Sequence, residues 1–356
     1  MSEDNQGRGD REGRRARRRA DPSSTLGEKL RAVEARADRP EPEPVPDKPG
    51  IIERARGMLL GLAVGDAIGS SLEFGPRISP PLARREMTGG GPFDLPVGCW
   101  TDDTALANAL SKSLLVCRKW DPLDAAQRFL AYYREGQYSS VPGTCVDIGV
   151  TTRQALERFE RTGNAYSGST DEHSSGNGSI MRLAPVAIFT LDAPEAEAVR
   201  IARDQSRLTH GSDVCLDSCS YLVQLLRLIL RGESDPLKLA MPQFEGHPDI
   251  LRAKTALWGG LERRNVKSTG FVVHTLEASL WACANSPDFE RAVTLAANLG
   301  GDADTTACVT GAIAGAKFGA EAIPARWLEP LAQRHRIGAL ALSLVRSSSE
   351  IYLHVA

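Results

Sequence analysis

Two short clusters carry the residues best suited to chemistry: Thr101-Asp102-Asp103-Thr104 and Asp302-Ala303-Asp304-Thr305-Thr306. Each sets carboxylates and hydroxyls just ahead of an apolar run, and the two read as halves of one site. Crowded carboxylates repel one another unless a cation sits among their oxygens. Four ionised aspartates carry four negative charges, which two divalent ions would balance. An all-oxygen donor set favours Mg²⁺ or Mn²⁺, and Ca²⁺ fits less well because its loop patterns are absent. The six histidines show no HExxH or zinc-finger spacing, so zinc is not favoured. The competing reading is simple N-capping, since a helix N-terminus attracts carboxylates through its dipole and free amides. Capping explains one acid per helix better than four acids and several threonines. The pattern points to a metal-assisted hydrolase.

Helices must position these clusters. Apolar periodicity predicts helices over 104–118 and 306–319, directly after the two clusters, and a third over 52–69. The third has glycines at 57, 61, 65 and 69. An interior glycine costs about 0.8–1 kcal/mol against alanine. Four on one face make sense where another backbone presses close. Gly311, Gly315 and Gly319, with Ala312 and Ala316 beside them, repeat the device. Small-residue helices are therefore expected to pack tightly around the site. Further helical stripes run through Ala155, Leu156 and Phe159, through Val199 and Ala202, and through Val214–Leu230. Segments 251–263, 276–284, 289–299 and 325–346 read the same way. Phe271-Val272-Val273-His274 has strand-like composition but is too short to change the class. The expected fold is all-α, a single compact domain over 51–356, with 325–356 as its closing helix.

Residues 1–50 differ in composition. Seven arginines fall between Arg8 and Arg19, an Ala/Glu/Arg stretch from Ser24 to Ala37 suits one short helix, and alternate prolines from Pro40 to Pro46 favour an extended linker. The segment reads as a flexible arm, either a solubilising tail or a partner-binding element that orders on contact. The chain of 356 residues has a formal net charge of −2, which gives no global pull toward nucleic acid or membrane. The arm's basic charge is nearly balanced by its own acids, so nucleic acid is a disfavoured partner. No stretch approaches the roughly 18 apolar residues of a spanning helix. Seven cysteines without a CxxC pair read as buried thiols of a reducing cytoplasm.

Several motifs then converge on one family. Gly57-Met-Leu-Leu-Gly-Leu-Ala-Val-Gly-Asp-Ala-Ile-Gly69, Glu73-Phe74, Trp100-Thr-Asp-Asp-Thr104, Gly176-Asn-Gly-Ser-Ile-Met-Arg182, Ser206-Arg-Leu-Thr-His210 and Asn298-Leu-Gly-Gly-Asp-Ala-Asp-Thr-Thr306 resemble the ADP-ribosylglycohydrolases, in family order over about residues 51–330. The resemblance implies a compact all-α domain with two Mg²⁺ or Mn²⁺ ions at the bottom of a cleft. By motif, Thr101, Asp102, Asp103, Asp302, Asp304 and Thr305 match the metal ligands. Glu73 matches a glutamate on a mobile segment near the metals. Asp147 resembles an acid of the arginine-directed branch, typified by the glycohydrolase that reactivates dinitrogenase reductase. Gly176, Asn177, Gly178 and Ser179 match a phosphate or ribose cradle. Met181, Arg182, His210, Gly300 and Gly301 fall in motifs expected to bind substrate.

The implied reaction is hydrolysis of the N-glycosidic bond joining ADP-ribose to an arginine guanidinium, with Glu73 and Asp147 as the catalytic carboxylates. Blander roles stand beside these. Glu73 could be a loop acid, Asp147 a cap for a helix beginning near Gly149, His210 a structural histidine, and Arg182 the holder of a helix end. The substrate partner is an ADP-ribosylated protein. Serine-linked ADP-ribose, O-acetyl-ADP-ribose and poly-ADP-ribose are alternative substrates. An immunity protein is a further reading, in which residues 1–50 occlude the active site of a cognate ADP-ribosyltransferase toxin. A catalytically dead relative is disfavoured by the complete ligand set.

Overall fold

The computed structural model describes residues 50–79, 83–233, 236, 240, 245–251 and 260–353. The short helix expected over Ser24–Ala37 and the proline linker lie outside the described residues. The described chain is built of helices joined by loops and 3-10 turns. Among the described residues there is no strand. Isolated bridges join Ser169 to His210 and Gly176 to Phe271.

Helix α1, Ile51–Gly69, is buried on every face from Gly57 onward, so it has no solvent stripe and forms the axis of the core. It runs antiparallel to the helix Ala303–Phe318, α10 in chain order. Gly57, Gly61, Gly65 and Gly69 face Gly315, Gly311, Ala307 and Ala303 in strict register. A β-carbon on these glycines of α1 would lie 2.1, 2.2, 2.0 and 2.4 Å from the facing carbonyl oxygens. No real β-carbon tolerates such distances, so the two backbones are in direct contact. Gly319 is not part of this stripe. It ends α10 with φ +85° and nothing close to its missing side chain.

Between these two lie α2 (Asp102–Cys117), α3 (Pro122–Glu135), α4 (Val150–Thr162), α5 (Ala184–Phe189), α6 (Glu195–Arg207), α7 (Asp213–Leu230), α8 (Val272–Ala284) and α9 (Phe289–Ala297). After α10 come α11 (Ala325–Leu328) and α12 (Arg334–Tyr352).

Several boundaries differ from expectation. α2 and α10 begin within the acidic clusters, so Asp102, Asp103 and Asp304 occupy first turns. Val272 and Val273 open α8 instead of standing as an extended tetrapeptide. The segment 325–346 is two helices because Gln333 takes a left-handed conformation with φ +57° ahead of α12. The helix expected over 251–263 falls largely outside the described residues, and a 3-10 turn at Arg263–Asn265 stands at its end. All seven cysteines are free, as expected, yet Cys99, Cys117 and Cys145 are only partly buried.

Candidate active site

The two clusters do meet. Oxygens of Asp66, Asp103 and Asp304 lie within 4.8 Å of one another, and so do oxygens of Glu73, Asp302 and Asp304. Asp304 belongs to both groups and joins them. Thr101 Oγ1 reaches Asp66 Oδ1 at 3.0 Å, Asp103 Oδ2 at 3.2 Å and Asp304 Oδ2 at 3.5 Å. Thr305 Oγ1 lies 3.5 Å from Asp103 Oδ2.

The N-cap residues do not cap their own helices, and within α10 Asp304 Oδ1 accepts from the Thr305 amide at 2.6 Å. Thr101 and Asp302 stand at the N-cap positions of α2 and α10 without a side-chain cap hydrogen bond. Carboxylates from elsewhere take that work. Asp66, near the C-terminal end of α1, accepts from the Thr101 and Thr104 amides at 2.9 and 3.0 Å and from Thr104 Oγ1 at 2.6 Å. Glu73 Oε2 accepts from the Ala303 and Asp304 amides at 2.7 and 3.1 Å. With Asp66 and Glu73 satisfying amides at both N-termini, oxygens of the cluster carboxylates are left for a ligand. Asp103 Oδ1 and Asp302 Oδ1 are buried without a hydrogen-bond partner among the described residues.

Asp66 carries no role in the sequence analysis, although it lies inside a quoted motif. Its signal was an acid within an otherwise apolar and small-residue helix. Such a residue is rarely buried unless it has specific partners.

Burial raises the whole group electrostatically. Asp66 is pushed up to about 6 by desolvation against the opposing pull of the Thr101 and Thr104 hydrogen bonds. Glu73 is pushed up to about 7 by desolvation and by the Asp302 charge. Asp102, Asp103 and Asp304 are raised well above the usual carboxylate range, first by desolvation and then by their acidic neighbours. Asp302 and Asp147 are raised by burial too. A cluster that resists ionisation this strongly is a receptor for positive charge. The donors present, carboxylate and hydroxyl oxygens, suit a hard divalent ion.

A cleft of about 340 Å³ opens above the cluster, within the range of small-molecule sites. Of the residues singled out in the sequence, Glu73, Asp102, Asp147, Gly176, Asn177, Gly178, Met181, His210, Asp302, Asp304 and Thr305 line it, together with Phe74, residues 148–152 and Gly270. Thr101, Asp103, Ser179, Arg182, Gly300 and Gly301 are not among the residues that line it. Asn177 Nδ2 donates to Asp302 Oδ2 at 3.1 Å and to Thr275 Oγ1 at 2.8 Å, which ties the Gly176–Gly178 turn to the acids. A β-carbon on Gly178 would sit 2.7 Å from the His210 ring.

Thr209 Oγ1 pairs with His210 Nδ1 at 2.8 Å. Burial and the nearby Arg182 charge push His210 down to about 3, so it stays neutral. Arg182 itself is fully buried. Its Nε bonds to Gln205 Oε1 at 3.0 Å, and its Nη2 bonds to Gln205 O and Thr209 Oγ1 at 3.0 and 2.8 Å. It braces the strip that carries His210 and does not face the cleft. Ser179 is buried likewise, its carbonyl accepting from Gln205 Nε2 at 3.0 Å. Gly300 and Gly301, both with φ +69°, form the turn against which residues 74 and 75 are hydrogen bonded.

Asp147 occupies a left-handed conformation with φ +58°. Its Oδ1 accepts from the Ile148 amide at 2.7 Å, and the α4 N-cap, Gly149, has no side-chain cap bond. Asp147 is therefore a wall of the cleft and not the cap of α4. Non-glycine residues held at positive φ concentrate at functional sites.

The same arrangement has relatives. The model of the ADP-ribosylglycohydrolase family matches residues 47–352. An ADP-ribosylarginine hydrolase, Tri1, of Pseudomonas putida (strain GB-1) is 39% identical over 338 residues, covering 94% of this chain and 87% of that protein. The ADP-ribosyl-[dinitrogen reductase] glycohydrolase of Rhodospirillum rubrum is 32% identical, covering 80% of this chain and 92% of that one. A solved ADP-ribosylglycohydrolase-related protein complex aligns with a TM-score of 0.72 at 41% identity, over 84% of this chain and 99% of its own. By its motifs, its helical fold and these matches, the chain belongs to the ADP-ribosylglycohydrolase family.

Proposed function

We propose that this ADP-ribosyl hydrolase releases ADP-ribose from modified arginine in proteins, with residues 51–356 as the catalytic unit and divalent metal held by the acidic cluster. The observation that carries the metal is the convergence of Asp66, Asp103 and Asp304 with Glu73 and Asp302, where two buried carboxylate oxygens have no partner among the described residues. The arginine linkage is supported by relatives named as ADP-ribosylarginine hydrolases, 39% identical over most of this chain. Thr101, Asp102, Asp103, Asp302, Asp304 and Thr305 would hold Mg²⁺ or Mn²⁺. When bound, the metal supplies Lewis-acid stabilisation of the charge that develops during glycosidic cleavage.

The chain's own residues do the rest. Cleavage leaves positive charge on the anomeric ribose carbon, and carboxylates beside it stabilise that charge. The departing guanidine nitrogen must retain or receive a proton. Glu73 and Asp147 both line the cleft and are raised by burial, so either can hold a proton there or take one from water. Among the described residues, no lysine or arginine lines the cleft. The diphosphate therefore falls to backbone amides, from Gly176–Gly178 and from the N-terminus of α4 at residues 149–152.

The test is release of ADP-ribose from ADP-ribosyl-arginine by purified protein with Mg²⁺ or Mn²⁺. EDTA and an Asp302→Ala/Asp304→Ala variant should each lower the rate by more than about a hundredfold. Release undiminished by EDTA would remove the metal from the mechanism. No release from the metal-loaded protein would remove the arginine linkage.

A further inference from the structure

Phe74 is the most exposed large apolar residue among the described residues, with 72% of its surface open to solvent. It is also a residue that lines the cleft. Its backbone has φ +57°, a conformation that costs a bulky side chain of order 1–3 kcal/mol. The strain is not relieved by burial, since the side chain is open to solvent and its one ring contact among the described residues is an edge contact with Phe93 at 6.3 Å. The surrounding backbone nevertheless fixes it. The Phe74 amide donates to Gly301 O at 2.7 Å and the Gly301 amide donates to Gly75 O at 2.9 Å. A strained, anchored, solvent-facing aromatic one residue from Glu73 serves no packing purpose.

Resting on the arginine-linked reading above, we infer that Phe74 is a specificity-determining residue that stacks on the guanidinium of the modified arginine as it enters and leaves. The amides at 149–152 and 176–178 cluster with His210, since Gly178 sits against both Thr152 and the His210 ring. That set suits the anionic nucleotide. Phe74 belongs to a different strip, the one bonded to Gly301, and lines the cleft beside Glu73. A ribose carbon held over the acids between these two strips directs its nitrogen substituent toward Phe74. The guanidinium is planar and cationic, and an aromatic face attracts it through the ring quadrupole. The acidic cleft adds attraction of the same sign.

The experiment is steady-state hydrolysis of ADP-ribosyl-arginine, with inhibition by free ADP-ribose measured on the same preparations. Phe74→Ala should raise KM by roughly three- to thirtyfold with kcat little changed, and the inhibition constant of ADP-ribose should stay within about twofold of the parent. Phe74→Tyr should restore the parent KM. Phe74→Leu, which keeps apolar bulk without the ring, should behave as the alanine variant does. An unchanged KM in Phe74→Ala, parent-like behaviour of Phe74→Leu, or an equal loss of ADP-ribose affinity would each overturn the inference, the last by placing the ring on the nucleotide. If the parent enzyme itself does not hydrolyse ADP-ribosyl-arginine, the arginine reading falls first and this inference with it. Turnover by the parent with an unaffected Phe74→Ala removes the inference alone.

Discussion

The seam between α1 and α10 and the acidic cluster at its end share these two helices, the cluster adding α2 and Glu73, yet they handle close approach in opposite ways. Along the seam, side chains have been removed until backbone meets backbone, and from Gly57 to Gly69 the contact repeats every fourth residue. At the cluster, polar side chains are packed in until carboxylates meet carboxylates, and two of their oxygens have no hydrogen-bond partner among the described residues. The seam is complete in itself, and the cluster would be completed by a bound cation. The difference shows how the fold tolerates a cluster that opposes it. A close-packed contact fixes Asp66 on one helix against Asp304 on the other, so repulsion between them cannot be relieved by the helices drifting apart.

The largest expected effect separates the two regions by pH. In EDTA, Asp66 and Glu73 have folded-state values of about 6 and about 7 against ordinary values of 3.8 and 4.5. The folded protein therefore binds more protons than the unfolded chain between about pH 4 and 7. Stability should fall as pH rises through that window, by several kcal/mol in the sum of the buried acids. If the cluster holds divalent metal as proposed, saturating Mn²⁺ or Mg²⁺ should flatten the slope, because metal would favour the ionised folded form. Thermal melts at several pH values, with and without metal, measure it. A metal-free melting temperature that rises from pH 5 to 7 would contradict the account.

A smaller loss should follow from breaking the seam without touching the acids. Gly61→Ala places a β-carbon 2.2 Å from Gly311 O and 2.9 Å from the Phe289 ring. Overpacking of this kind costs about 1–3 kcal/mol, and backbone is the least able of neighbours to yield. Urea denaturation should show the loss, and metal affinity should weaken with it because Asp66 moves relative to Asp304.

The smallest effect sharpens the comparison at the point where the regions meet. Asp66→Asn keeps a carbonyl for the Thr101 amide but removes the charge that both threonines address. It should weaken Mn²⁺ binding by about 10–100-fold, the range for groups that orient metal ligands, with little net change in metal-free stability, since relief of charge repulsion is offset by an amide NH2 facing the Thr104 amide. Titration calorimetry reads the first, and a metal-free melt reads the second.

Much of this was legible in the chain. Glycines at 57, 61, 65 and 69 declare a close approach, because nothing else justifies their helical cost. Two acid-hydroxyl clusters, each ahead of a helix, declare a shared site. The partner of each was not legible. That Glu73 satisfies the amides of α10 and Asp66 those of α2 depends on tertiary placement, and no local pattern records it. The two halves of 325–346 were hidden for a related reason. Apolar periodicity continues across the break, and a left-handed Gln333 has no strong composition signal. Arg182 lies in a motif whose neighbours line the cleft, and only the structure shows it turned inward to Gln205 and Thr209.

The register of the seam has a consequence for how the sequence can vary in length. One residue inserted between Gly61 and Asp66 would rotate everything beyond it by about 100° and advance it by about 1.5 Å. The glycines would then leave their facing carbonyls, and Asp66 would leave the amides of α2, although no residue of either region had been replaced. The stretch from Gly57 to Gly69 thus behaves as a ruler. Its spacing is information in its own right, and insertions belong in the loops between helices.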